Sequence, residues 1–205
     1  FGASFNTSVG DFNVGGEVSV RRNTPLVSGP QVDVTGGAGI GGQAGYAVGN
    51  SAHINLSTIY LLSPTAFWQG GSFLGELAWN RRTGITKNPA ALDPNTSRDA
   101  YGFRFIFEPQ YFQVLPQLDI SVPIALGYNP KGNSSVVQQF NGGVRKGGDI
   151  SLGLKGSYLQ QWRFGLTYTH FIGTVGAGLG ADAHFTFKQA LGDRDFVSLS
   201  VQTTF

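Results

Sequence analysis

The chain has 205 residues, of which 31 are Gly and 16 are Phe; 13% are charged and the formal net charge is +2. Twice the usual Gly with so few charges does not fit an ordinary soluble domain, and the scattered basic residues exclude the basic stripe of a nucleic-acid binder. Cys is absent, which removes disulfide scaffolds, thiolate metal sites and cysteine nucleophiles, and apolar stretches such as residues 58–62 fall far short of the roughly 18 residues of a membrane-crossing helix.

Successive side chains of a strand point to opposite faces, and that alternation recurs along the chain. It predicts strands over residues 1–9, 12–22, 52–62, 72–83, 99–108, 117–128, 149–158, 162–172 and 195–205. In the second, Phe12, Val14, Val18 and Val20 oppose Asn13, Glu17, Ser19 and Arg21. In the fifth, Tyr101, Phe103, Phe105 and Phe107 oppose Gly102, Arg104, Ile106 and Glu108. Residues 117–128 set Leu118, Ile120, Val122, Ile124, Leu126 and Tyr128 against Asp119, Ser121, Pro123, Ala125 and Gly127, with Pro123 removing one ladder donor. The seventh and eighth carry Asp149, Ser151 and Lys155, and Arg163, Thr167 and Thr169, on their polar faces.

A soluble sandwich or lipocalin would turn the apolar face inward. Aromatics instead sit at the ends of the apolar ladders, Trp79, Tyr101, Tyr128 and Tyr168 at one end and Phe12, Phe73, Phe107, Tyr158, Trp162 and Phe205 at the other, as interfacial girdles do. The opposite faces are rich in Gly, Ser, Thr and isolated charges, which suits a polar lumen. The expected fold is therefore all-β, an antiparallel transmembrane β-barrel of the bacterial outer membrane, with the lipid bilayer as partner. Val197, Leu199, Val201, Thr203 and Phe205 share one face of the last strand, an arrangement read by the outer-membrane assembly machinery.

Connections alternate in length. Residues 10–11, 63–71, 109–116 and 159–161 are short, and 23–51, 84–98, 129–148 and 173–194 are long; short turns face the periplasm and long loops face outward. Residues 184–189 are assigned to the last outer loop. Nine strands ending in the periplasm must begin outside, whereas single-chain barrels have even strand numbers. The chain thus reads as one segment, the C-terminal portion of a larger even-stranded barrel; an uncounted strand within residues 36–48 is the alternative.

On this register the inward charged set is Glu17, Arg21, Glu76, Arg104, Glu108, Asp119, Asp149, Lys155 and Arg163. Charges in a crowded lumen are expected to pair across strands or meet water, and a substrate-lining role is the alternative. The histidines do not converge. His53 faces inward near Ser51, Asn55 and Ser57, His170 falls on the lipid face, and His184 lies in a loop, so no catalytic residues, enzyme activity or cofactor are expected. Asp93, Asn95 and Asp99 read as turn residues rather than a calcium loop, so no metal is expected. The run Gly39-Ile40-Gly41-Gly42 lacks the strand-to-helix context of a phosphate loop.

Several segments, FGASFNTSVGDFNVGGEVSVRRNTPL, LGELAWNRRTGITKNP, FEPQYFQVLPQLDISVPIALGY, GDISLGLKGSYLQQWRFGLTYTHFIG and DRDFVSLSVQTTF, resemble the C-terminal part of the large proteobacterial outer-membrane proteins catalogued as domain of unknown function thirteen-oh-two. Residues 36–49 depart most. The resemblance implies a longer barrel encoded near a periplasmic lipoprotein of the lipid-carrier type and an inner-membrane exporter of the resistance-nodulation superfamily. A channel or passage component for lipid-like or hydrophobic solutes is the expected function. A general diffusion porin, or a structural or surface-recognition barrel with an inert lumen, are the alternatives.

Overall fold

The computed structural model describes residues 1–30 and 45–204; residues 36–44 of the Gly-rich segment, including the 39–42 run, and Phe205 lie outside the described residues. Among the described residues ten strands account for nearly all the regular structure: β1 (Gly2–Val9), β2 (Phe12–Pro25), β3 (Val48–Leu61), β4 (Gly70–Lys87), β5 (Asp99–Leu115), β6 (Leu118–Ser121), β7 (Ile124–Lys131), β8 (Gly148–Tyr158), β9 (Trp162–Ile172) and β10 (Phe196–Thr203). Every pairing is antiparallel, and spatial order follows chain order. The sheet does not close among the described residues: β1 pairs only with β2, and β10 only with β9.

The nine expected strands are all present, with one correction. Residues 117–128 form two strands, β6 and β7, which lie end to end between β5 and β8. The break falls at Val122-Pro123. Pro123 has no N–H to give the ladder; its carbonyl still accepts from Gly153 N at 2.8 Å, and Val122 N still donates to Pro109 O, its in-register partner, at 3.1 Å.

Strands also run further than the alternation predicted. β2 continues to Pro25 and β3 begins at Val48 because register shifts near Arg21/Thr24 and Asn50/Ser51 absorb extra residues without ending the pairing. At the other end β5 extends to Leu115. The expected connection over 109–116 therefore contracts to Pro116-Gln117, with Gln117 at φ 64. Alternation of short and long connections survives these changes, and 184–189 remains loop, tied by isolated bridges at Phe185 and Gln189.

Burial is concentrated at the long-loop end. The buried apolar residues are Leu26, Val27, Ala47, Val48, Ala100, Val144 and Phe187, drawn from strand ends and loops. Among the described residues no second layer packs on the middle of the sheet, where Leu77 is 58%, Leu152 55% and Leu199 74% exposed.

Candidate functional site on the polar face

Cross-strand register places Glu17, Arg21, Glu76, Arg104, Glu108, Asp119, Asp149, Lys155 and Arg163 on the same face. One row runs Ser57, Glu76, Arg104, Gly127, Asp149 across β3 to β8. Within it Arg104 Nη2 meets Asp149 Oδ1 at 2.6 Å, and Arg104 Nε donates to Asn141 Oδ1 at 2.7 Å. Gly127 makes this possible, because the guanidinium lies across β7 where a Cβ would stand 2.7 Å from its Cζ.

A second ion pair joins Lys155 Nζ to Glu108, at 3.0 and 3.1 Å from its two oxygens, with Ser121 Oγ donating to the same carboxylate at 2.7 Å. Glu76 accepts from Asn55 Nδ2 at 2.5 Å, and Asp119 accepts from Gln113 N at 2.8 Å. Glu17, Arg21 and Arg163 have no hydrogen bond or ion pair among the described residues.

The face is not polar throughout. Ile59, Leu74, Ile106 and Ala125 stand directly opposite one another on β3, β4, β5 and β7, forming an apolar row, with Ile59 49% exposed and Leu74 and Ile106 each 39%. Charged residues flank it, the Glu76–Arg104 row on one side and Glu108 on the other. Of these apolar residues only Ile106 and Ala125 stand out on a polar face in the sequence, and the row requires knowing the register.

On the opposite face Phe12 stacks on Tyr60 at 4.5 Å, and the pairing continues through Phe73 to Phe107. Trp79 and Tyr101 pair at 6.4 Å, Phe103 and Tyr128 at 6.1 Å, and Tyr158 lies opposite Trp162. Val197, Leu199, Val201 and Thr203 share this face, opposite Tyr168, Leu166, Phe164 and Trp162; Phe205 is not described.

The three histidines stay apart. His53 Nε2 is 3.0 Å from Ser51 Oγ, whose residue is wholly buried. His170 Nδ1 lies 2.8 Å from Asp195 Oδ2, and Tyr168 Oη donates to that oxygen at 2.6 Å. These two contacts, the tyrosine's first, hold the Asp195 carboxyl below the usual carboxylate range. His184 Nδ1 is 3.7 Å from Asp93 Oδ2. Asp93 is buried and accepts the backbone N–H groups of Asn95 at 2.9 Å and Phe185 at 2.8 Å, so it clamps two loops together as a turn residue. Asp99 takes the Trp79 indole N–H at 3.1 Å. Among the described residues no three potential metal ligands converge.

The segment 132–147, between β7 and β8, folds over the polar face instead of standing away from it. Asn141 Nδ2 donates to Phe103 O at 3.2 Å and Tyr128 O at 3.1 Å, and Ser134 Oγ donates to Asn80 Oδ1 at 2.8 Å. This inward fold has no signal in the hydropathy pattern.

No curated protein and no solved structure matches the chain. The family model described as Protein of unknown function (DUF1302) matches residues 1–205, all of the sequence, and the chain belongs to that family.

Proposed function

We propose that the sheet is part of the wall of a bacterial outer-membrane β-barrel, and that its polar face lines a passage for amphipathic or hydrophobic solutes. The uncovered apolar face, rimmed by aromatics, supports the membrane setting: contiguous apolar patches beyond a few hundred Å² mark surfaces that something covers, and hydrocarbon bounded by girdles is the covering that fits. Strand stagger supports it independently. From Phe12, beside the β1–β2 turn, the pairing leads across six strand steps to Tyr168, which lies six residues from Trp162 beside the β8–β9 turn. With those turns level, one residue of stagger per strand tilts the strands by about 35° for a 3.3 Å rise and 4.8 Å spacing, at the edge of the roughly 35–45° of outer-membrane barrels. The free edges of β1 and β10 need partners, and further strands of a larger barrel, docked by the assembly machinery, would supply them. A periplasmic lipoprotein and an inner-membrane exporter are the partners such a passage would serve.

The observation that carries the solute class is the row Ile59, Leu74, Ile106 and Ala125 between charged rows. Three strand steps make it about 14 Å long, enough for an alkyl chain to lie along while its head group meets Arg104 or Lys155. A purely ionic pore gains nothing from such a row. The test is uptake of alkyl-chain solutes by vesicles carrying the full-length protein. Replacing Ile59, Leu74 and Ile106 together by Asn should lower uptake roughly tenfold, the effect of about 1.4 kcal/mol of lost contact, and Arg104→Gln should alter head-group preference. Unchanged uptake in the triple variant, together with large ion conductance, would turn the reading toward a general porin.

A further inference from the structure

Two cavities adjoin near the long-loop end of the sheet. The first is a groove of about 530 Å³ on the apolar face, walled by two consecutive cross-strand rows, Ile54, Trp79 and Tyr101 above Leu56, Leu77 and Phe103. Two strand steps by one same-face step make it about 10 Å by 7 Å. The second, of about 420 Å³, is lined by Arg98, Lys131, Arg145 and Lys146, with one acid, Asp99.

The join between them lies at Tyr101. Asp99 stands one same-face step beyond it on β5, and Lys131, the last residue of β7, is directly opposite it, while the neighbouring Pro130 lines the groove. Trp79 straddles the boundary: its ring lies 6.4 Å from that of Tyr101, and its indole N–H donates to Asp99 Oδ1 at 3.1 Å.

The basic cavity is not neutralised by the chain around it. Arg104 and Lys155 on the sheet each meet an acid, but Asp99 is already engaged by Arg81 at 3.5 Å and by the indole. Among the described residues none of the four lining cations has an ion pair; Arg98 Nε donates to Arg82 O at 3.2 Å, and the side chains of Lys131, Arg145 and Lys146 make no hydrogen bond. Water solvates each of them singly, yet their mutual repulsion around one cavity is relieved only by an anion. A phosphate offers several charged oxygens to several cations at once.

The groove selects what carries the phosphate. A soluble anion would leave the apolar rows uncovered, and a neutral lipid would cover them and leave the cations unmatched. We propose that the two cavities together bind one anionic phospholipid of the surrounding bilayer, its phosphate among Arg98, Lys131, Arg145 and Lys146 and its acyl chains along Leu77 and Phe103. Trp79 and Tyr101 then stand at the junction of head group and chain, where amphipathic rings are favoured. Each cavity is within the roughly 300–1,000 Å³ of ligand sites. The proposal rests on the reading of the apolar face as lipid-covered, and stands whether or not the polar face lines a passage.

The experiment is native mass spectrometry of the full-length protein released from nonionic micelles after titration with dioctanoyl phosphatidate, dioctanoyl phosphatidylcholine and glycerol 3-phosphate. One phosphatidate should bind at least tenfold more tightly than phosphatidylcholine, which has the same chains and no net charge, and than glycerol 3-phosphate, which has the head group and no chains. Lys131→Gln with Arg145→Gln should weaken phosphatidate at least tenfold and leave phosphatidylcholine unchanged, and Leu77→Ala should weaken it about threefold. Arg163→Gln and Leu154→Ala, both outside the two cavities, should change nothing. Lys131, Arg145 and Leu77 are exposed, so an unchanged circular dichroism spectrum should accompany these losses. Equal binding of phosphatidylcholine, equal binding of glycerol 3-phosphate, or full phosphatidate affinity in the double variant would overturn the proposal. Flotation with phosphatidylcholine vesicles separates the two readings: a protein that floats without lipid selectivity overturns the site alone, and one that does not float overturns the membrane setting with it.

Discussion

Replacing Gly127 by Val should uncouple Arg104 from Asp149 without touching either. The three residues stand in one cross-strand row, and the guanidinium reaches Asp149 only by lying over Gly127. A Cβ there would be 2.7 Å from Arg104 Cζ and 2.9 and 3.0 Å from its terminal nitrogens, so the side chain must lift away. What is lost is an ion pair whose side chains are 49% and 23% exposed, worth no more than about 1 kcal/mol after solvent screening, and the bond to Asn141, worth about 1 kcal/mol. Valine returns about 0.5–1 kcal/mol through its better fit to a strand. The net loss is therefore only about 1 kcal/mol, and the coupling is the sharper readout. Urea unfolding of the full-length protein in micelles, followed by Trp fluorescence, should give Arg104→Gln and Asp149→Asn a coupling energy of about 0.5–1 kcal/mol in the parent and close to zero in Gly127→Val. Undiminished coupling in the Val background, or none in the parent, would refute the geometry.

Arg placed on either face should distinguish them: Leu154→Arg, on the apolar face, should cost about 2–4 kcal/mol if that face meets lipid near mid-membrane, whereas Ile106→Arg, 39% exposed on the polar face, should cost well under 1 kcal/mol; equal costs in vesicle unfolding would count against the assignment of faces. Asp93→Ala should leave the Asn95 and Phe185 amides without their acceptor, costing about 2–3 kcal/mol locally, and speed proteolytic cleavage within 173–195 while the sheet stays intact. Because Asp195 has a lowered pKa, its contacts with Tyr168 and His170 stabilise the fold above the ordinary Asp value of about 3.9, and that contribution fades as pH falls below it. Asp195→Asn should flatten the acid side of the stability curve, and a curve identical to the parent's would show that the cluster carries no stability.

Strands and faces were legible because a period of two survives in a single sequence. Phe12, Val14, Val18 and Val20 need no partner to declare which way Glu17 and Arg21 point. Pro123 was legible as a defect but not as a break, since alternation passes through it undisturbed and only the lost N–H ends the pairing. The row Ile59–Leu74–Ile106 depends on which residue of β3 faces which residue of β4, and connection lengths do not determine that. Least legible was the cap. Leu26, Val27, Val144 and Phe187 are isolated apolar residues in Gly-rich connections, and their burial arises from loops meeting each other. The alternation places His53 inward near Ser51, and the 3.0 Å contact between them follows from their spacing of two on one strand.

The balance of burial bears on which solvent this sheet is built for. Burying a large aliphatic side chain contributes about 1.5–3 kcal/mol, and Val18, Ile54, Leu77, Leu152, Leu166 and Leu199 are each between 37% and 74% exposed on the apolar face. At about 1 kcal/mol withheld from each, these six alone forgo about 6 kcal/mol in water, of the order of the whole 5–15 kcal/mol net stability of a domain. The same face carries many more, while the buried apolar residues are few and sit in the loop cap. Among the described residues, a ten-stranded single layer with so small a core gains little from burial in water. If the sheet lies in a bilayer as proposed, the balance reverses, because the apolar side chains would meet lipid and every strand amide would have to be paired within the sheet or at its edges. On that reading the stability of the cap, unlike that of the strands, should be indifferent to lipid. Loop cleavage by protease and strand unfolding by urea should therefore respond differently when micelles are exchanged for a bilayer, with only the strands gaining.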